Sequence, residues 1–187
     1  MRKLCSAVAL VLAFTGLLYI SPAAAAPVPI VCNSQWQVIP PQAATDVSTV
    51  YGGSAFNGSG QDYIGVVAIH GLDHHVYYSV LNFANASNIT WGNQWVDSTG
   101  WTYQQPRVLN ASESGYNKVE IRVLGTEGDT WSMIFNANGP SGWFVSGFGS
   151  QHFYNAPVHN AFQVQKGAPN WVWFGTYLGA PTYHCWH

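Results

Sequence analysis

The chain has 187 residues, of which 7% are charged and 15% aromatic, with nine tryptophans. Average proteins carry roughly 25% charged residues, and the only basic side chains beyond Arg2 and Lys3 are Arg107, Lys118, Arg122 and Lys166. Four scattered bases cannot form the track that a nucleic-acid backbone requires, so nucleic acid is excluded as a partner. What remains is a chain rich in Asn, Gln, Ser, Thr and Gly, which stays soluble through amides and hydroxyls and suits uncharged ligands.

From the N-terminus, Arg2 and Lys3 precede an apolar run from Ala7 to Ile20, which Ser21 and Pro22 end. The run falls short of the ~20 apolar residues of a membrane span. With the small residues Ala23-Ala24-Ala25 behind it, it reads as a secretory signal over residues 1–25, cleaved after Ala25. No membrane span is expected, and the secreted domain occupies 26–187. Its charge is four basic against eight acidic side chains, 4 − 8 = −4. Only Cys32 and Cys185 then remain, and a lone pair in an oxidising compartment is expected to form a disulfide that brings the chain ends together.

The body of the chain repeats. Gly71, Gly125 and Gly167 each follow a short alternating segment, and Tyr77, Trp131 and Trp173 each stand six positions later. Three repeats centred near 71, 125 and 167 are therefore expected, each a hairpin. Val119, Ile121 and Val123 alternate with Glu120 and Arg122, and Trp131, Met133 and Phe135 alternate with Ser132 and Ile134, the period of a strand with one face inward. Gly52-Gly53, Asn57-Gly58-Ser59-Gly60, Asn138-Gly139-Pro140 and Gly179-Ala180-Pro181 read as turns. The stretches Tyr51–Asp62 and Ala84–Ile89 read as loops. Helical periodicity is absent, so the fold class is all-β, a repeat of short antiparallel sheets.

A tryptophan segment follows the first two hairpins, WGNQWVDSTG from Trp91 and SGWFVSGFG from Ser141, but the third repeat reaches the C-terminus without one. Asn33-Ser34-Gln35-Trp36-Gln37-Val38 is similar to Gly92-Asn93-Gln94-Trp95-Val96-Asp97 and could supply it. An N-terminal strand joining the C-terminal repeat would remove a bare sheet edge. The protein is expected to be a monomer closed in this way or a small homo-oligomer pooling repeats.

Gly125-Thr126-Glu127-Gly128-Asp129-Thr130-Trp131, with Gly71-Leu72-Asp73 and the pair Trp91 and Trp95, resembles the blade pattern of secreted β-propeller lectins of the tectonin-like and Photorhabdus-lectin-like groups. The third repeat departs from it, with Ala168-Pro169-Asn170 and no acid. The resemblance covers most of Asp62 to Leu178 and implies propeller-like blades with sugars bound between neighbouring blades, against tryptophans and backbone amides. Gly125–Trp131 is also similar to the Asp-box hairpin of sialidases, which is a turn element and not a catalytic one.

Sugar rings present apolar CH faces that stack on indoles, while amides and hydroxyls meet the ring hydroxyls. The ligand candidates are Trp36, Trp95 and Trp143, with the turn acids Asp73, Glu127 and Asp129; Tyr77, Trp131 and Trp173 are assigned to half-buried positions of the repeat, Trp131 to the core. His70-Gly71-Leu72-Asp73-His74-His75 is the single metal-like cluster, but adjacent strand residues face opposite ways, and no metal or cofactor is expected. No pair of carboxylates facing a cleft can be assigned, so no catalytic residue is named. The reading is a secreted, glycan-binding, lectin-like protein; a secreted interaction or structural β domain is the alternative, and a glycosidase ranks below both. Asn57, Asn85, Asn88 and Asn110 each head an N-x-Ser/Thr sequon, a glycan acceptor if the chain is made in a eukaryote.

Overall fold

The computed structural model of the protein describes residues 28–33, 35–40, 42–43, 45–56, 63–85, 88–92, 94–109, 118–136, 138–154, 161–163 and 171–186. The expected signal over 1–25, Gly167 and the sequon residues Asn57 and Asn110 lie outside these residues. After β1 (Trp36–Val38), the chain builds a central sheet from β2 (Val47–Phe56), β3 (Tyr63–Gly71) and β4 (His75–Asn85), with β5 (Asn88–Thr90) and β6 (Val96–Trp101) both paired to β4. A distal sheet follows from β7 (Arg107–Leu109), β8 (Val119–Leu124) and β9 (Thr130–Asn136), with β10 (Gly139–Pro140) and β11 (Phe144–Gly147) both on β9. The short helix α1 (Ser150–Tyr154) leads toward a terminal sheet of β12 (Ala161–Gln163), β13 (Trp171–Tyr177) and β14 (Ala180–Trp186), whose fourth place β1 takes. Every pairing is antiparallel. The protein is all-β, as composition and period indicate. Among the described residues no helix is long and apolar enough to cross a membrane.

The central sheet is packed on both faces, and β3 shows why. Its run Val66-Val67-Ala68-Ile69 is apolar at every position, as a strand between two layers must be. Val67 and Ile69 join a core with Val172, Phe174, Tyr183 and Cys185 of the terminal sheet. Val66 and Ala68 join another with Ile121, Val123 and Phe135 of the distal sheet. Each Val, Ile or Phe side chain here contributes about 1.5–3 kcal/mol on burial. Gly52 lies inside β2 and not in a turn, correcting the expectation for Gly52-Gly53. The Phe174 ring occupies the place of any side chain at this position, the close approach that an in-strand glycine marks. The Ala84–Ile89 expectation is corrected as well, since β4 runs to Asn85 and β5 begins at Asn88.

The three sheets share one plan. In each, the second and third strands form a hairpin, β3–β4 at Gly71 and β8–β9 at Gly125, and in the terminal sheet β13–β14 turns at Leu178-Gly179. These glycines are evenly spaced, 125 − 71 = 179 − 125 = 54 residues. The hairpin in the equivalent place of the terminal sheet is thus centred on Gly179, while β12 and β13 pair antiparallel on either side of Gly167 in the sequence, from Ala161↔Trp173 to Gln163↔Trp171. Pairing agrees: Ile69↔Tyr77 and Val123↔Trp131 put the partner of each aromatic two residues before the glycine, whereas Trp173 pairs with Ala161 and not Gln165. Leu178 and Gly179 adopt φ of 49° and 76°, the left-handed pair of a two-residue hairpin turn.

β1 pairs with β14, Trp36 opposite His184 and Val38 opposite Thr182. It fills the edge place that β6 and β11 fill in their own sheets. β14 therefore separates the Trp36 strand from the Trp173 strand. The Cys32–Cys185 disulfide, with Cα atoms 4.6 Å apart, fastens the arrangement. Before β1 the chain touches the central sheet too, through Pro29 bridging Thr90 and Trp91 N–H donating to Val28 O at 2.8 Å.

Candidate functional site

A turn in one sheet and a bulge in another face each other across a cavity. The turn joins β8 to β9: Gly125 N–H donates to Asp129 O at 2.9 Å, and Gly128 N–H to Gly125 O at 3.0 Å. This loop displays Glu127 to solvent, while Asp129 Oδ1 accepts Gly149 N–H at 3.1 Å. The bulge is in β6, where pairing with β4 jumps from Tyr77↔Asp97 to Val76↔Gly100. Thr99 sits in it at φ 60°, an outlier for a β-branched residue and a strain of about 1–3 kcal/mol. Asp97 Oδ1 accepts Thr99 N–H at 2.7 Å and Ser98 Oγ accepts Gly100 N–H at 3.1 Å, which over-determine the conformation. Bulges recur where a side chain must be re-aimed, and this one turns the Ser98 carbonyl to accept the Trp143 indole N–H at 2.7 Å.

Between these walls lies a cavity of about 370 Å³, toward the small end of ligand sites at ~300–1,000 Å³. Trp101, Trp131, Trp143 and Glu127 surround it, with Thr99 and Gly100 on the bulge side and Val123 at the base. Trp143 packs closely on β6 at Gly100, where a Cβ would stand 2.6 Å from its ring. Trp131 and Trp101 sit at strand ends, 37% and 38% exposed.

Of the six ligand candidates, Glu127 and Trp143 converge on this cavity, and Asp129 holds the same turn to Gly149. The other three lie elsewhere. Asp73 is engaged locally, accepting Tyr77 O–H at 2.6 Å and His75 N–H at 3.1 Å. Its partial burial would raise its pKa, but those hydrogen bonds outweigh it and hold the carboxyl below its ordinary value; the same bond to Asp73, with desolvation, pushes the Tyr77 phenol up to about 12. Trp95 packs against the core between the central and terminal sheets. Trp36 is 58% exposed on the outward face of the terminal sheet, its ring 5.4 Å from that of His184.

Two cavity residues escaped sequence reasoning. Trp131 shares the face of Met133 and Phe135, which suggests core, but it stands first after the turn, where the sheet rim leaves it open; this corrects its assignment to the core. Trp173 points outward, 44% exposed. Trp101 was not singled out at all, and only its place after Asp-Ser-Thr-Gly, a bulge-forming string, hints at its position.

The histidine cluster separates. His70 is buried, its Nε2–H donating to Thr102 O at 2.9 Å and its Nδ1 accepting from Ser48 Oγ at 3.1 Å. Burial holds its pKa below the usual value, so it stays neutral. His75 pairs with Asp97 at 3.1 Å, and His74 lies edge-on to Tyr103 at 4.9 Å. Among the described residues no three His, Cys, Asp or Glu gather as metal ligands do.

The cavity thus offers indole side chains and one carboxylate, which can bind a small polar ring. A glycosidase needs two facing carboxyl groups, and the described lining holds one. No protein-family model, no curated protein and no solved structure matches this chain.

Proposed function

We propose that the protein is a secreted carbohydrate-binding protein of lectin type, with its sugar site in the cavity between the central and distal sheets. The observation that carries the reading is the convergence of Trp101, Trp131, Trp143 and Glu127 around about 370 Å³ at the junction of two repeats. Indoles stack on the CH faces of a sugar ring, and a carboxylate accepts from its hydroxyls. The shared plan of the three sheets and the β1–β14 pairing support propeller-like blades closed by the N-terminal strand, the architecture that the blade resemblance implies. The disulfide fits an oxidising, extracellular setting.

Glycan-array binding by the oxidised protein, with competition by free sugar, tests the reading. Trp131→Ala should weaken a confirmed ligand about fivefold, the value of roughly 1 kcal/mol of stacking, with the far-UV spectrum unchanged. A clean negative across broad arrays would sink it. The exposed aromatics Trp36, Trp171 and Trp173 favour the second reading, a domain that docks protein partners; that reading gains if arrays are negative and Trp36→Ala abolishes capture of a defined protein partner.

A further inference from the structure

The charges around the cavity narrow its ligand class, an inference that rests on the sugar-binding reading. We infer that the cavity selects a ring carrying a free ammonium group, an unacetylated amino sugar, over its neutral and anionic counterparts. Three observations carry this. Trp101, Trp131 and Trp143 present indoles to one small space, and an indole face is the strongest aromatic attractor of a cation. Glu127 is the one ionisable side chain among the described lining residues, and no described Lys, Arg or His lines the cavity with it. The nearby Asp129 carboxylate is turned to the Gly149 N–H and to the loop it holds.

A carboxylate beside aromatic faces suits an ammonium group, which has three N–H donors, no acceptor and a full positive charge. A neutral hydroxyl in the same place would gain the hydrogen bond without the charge. A uronic or sialic acid would bring a second negative charge toward Glu127 with no base to offset it. Trp143 is held by its N–H to the Ser98 carbonyl at 2.7 Å, so its ring is oriented before a ligand arrives and little ordering remains to oppose binding.

The test is titration of the oxidised full chain, followed by tryptophan fluorescence and calorimetry, with glucosamine, glucose, N-acetylglucosamine and tetramethylammonium chloride at constant ionic strength. Glucosamine should bind at least about tenfold more tightly than glucose or N-acetylglucosamine, the range of a charge-assisted bond, and should lose that margin at a pH well above the amine pKa. Glu127→Gln should bring the glucosamine-to-glucose ratio close to one, and Glu127→Asp, which keeps the charge, should retain most of it. Equal affinity for glucosamine and glucose, or a margin that survives Glu127→Gln, overturns ammonium selection and leaves the sugar reading standing. Saturable binding of tetramethylammonium without binding of any sugar supports the cation site and overturns the sugar reading. Binding of none of the four overturns both.

Discussion

The terminal and distal sheets follow the same four-place plan and each lays one face on the central sheet, but their outward faces are finished in opposite ways. On the distal sheet the centre of the outward face, at Glu120 and Ser132, is polar and nevertheless buried. Glu120 is 4% exposed and accepts from Arg122 Nε–H at 2.7 Å and Ser132 O–H at 2.6 Å, with Ser146 Oγ a further 2.6 Å from Ser132. The helix α1 lies against β8, β9 and β11, and Phe153 from it is buried beneath the Arg107 guanidinium. On the terminal sheet the outward face carries exposed aromatics instead, Trp36 at 58% and Trp173 at 44%. Strand alternation decides which residues point outward, but only later chain decides whether outward means solvent. The edges differ as well: the distal sheet takes β11 from the next segment of chain, whereas the terminal sheet takes β1 from more than a hundred residues away and holds it with a disulfide.

That contrast can be pressed experimentally. Replacing both Cys32 and Cys185 by serine should have the largest effect, up to about 5 kcal/mol for a loop of 153 residues in the chain-entropy account. Hydrogen exchange should then show β14 and β1 losing protection ahead of β8 and β9; loss from the distal sheet first would break the comparison.

Glu120→Ala comes next, at about 3–5 kcal/mol, because it strands the Arg122 guanidinium in a nearly buried place. Burial alone would raise the Glu120 pKa, yet the hydrogen bonds from Arg122 and Ser132 outweigh it and hold the carboxyl below its ordinary value of 4.5. A depressed native pKa contributes stability that is fully present above 4.5 and is lost as pH falls through the native value. Melting temperature should accordingly fall on acidification below 4.5, and Glu120→Gln should flatten that fall. An unchanged slope would show that the network is not ionised. The smallest effect belongs to Trp36→Ala, below about 1 kcal/mol since the ring is largely solvated; a loss of several kcal/mol would mean that the terminal face is covered in solution.

The sequence carries the fold class plainly, because β8 alternates Val119, Ile121 and Val123 with Glu120 and Arg122, and β3 holds the apolar run Val66 to Ile69. The pairing of Cys32 with Cys185 and the reach of the Trp36 segment toward the C-terminal repeat were legible from count and local similarity. Gly167 was found from a local string and falls in sequence between the paired strands β12 and β13, whereas Gly179 repeats a distance, and its Leu-Gly matches Leu124-Gly125. Gly52 misled for a different reason: a glycine demanded by the Phe174 ring of another sheet looks the same in sequence as one demanded by a turn. The cavity was half legible. Glu127 and Trp143 could be found from turn chemistry and composition, but Trp101 and Trp131 acquire their roles from a bulge and a sheet rim, which depend on pairing with strands distant in sequence.

The bridge between Cys32 and Cys185 also sets how the molecule would answer mechanical tension. A pull applied outside these two residues enters and leaves through Cα atoms 4.6 Å apart, so the load crosses a covalent link and bypasses the sheets. The contacts outside that link, among them Pro29 with Thr90, Val28 with Trp91 and Val31 with Tyr183, would peel away. Tethered at both ends under flow, the oxidised protein would keep its cavity shaped, and reduction would expose β1 and then the terminal sheet to the full force.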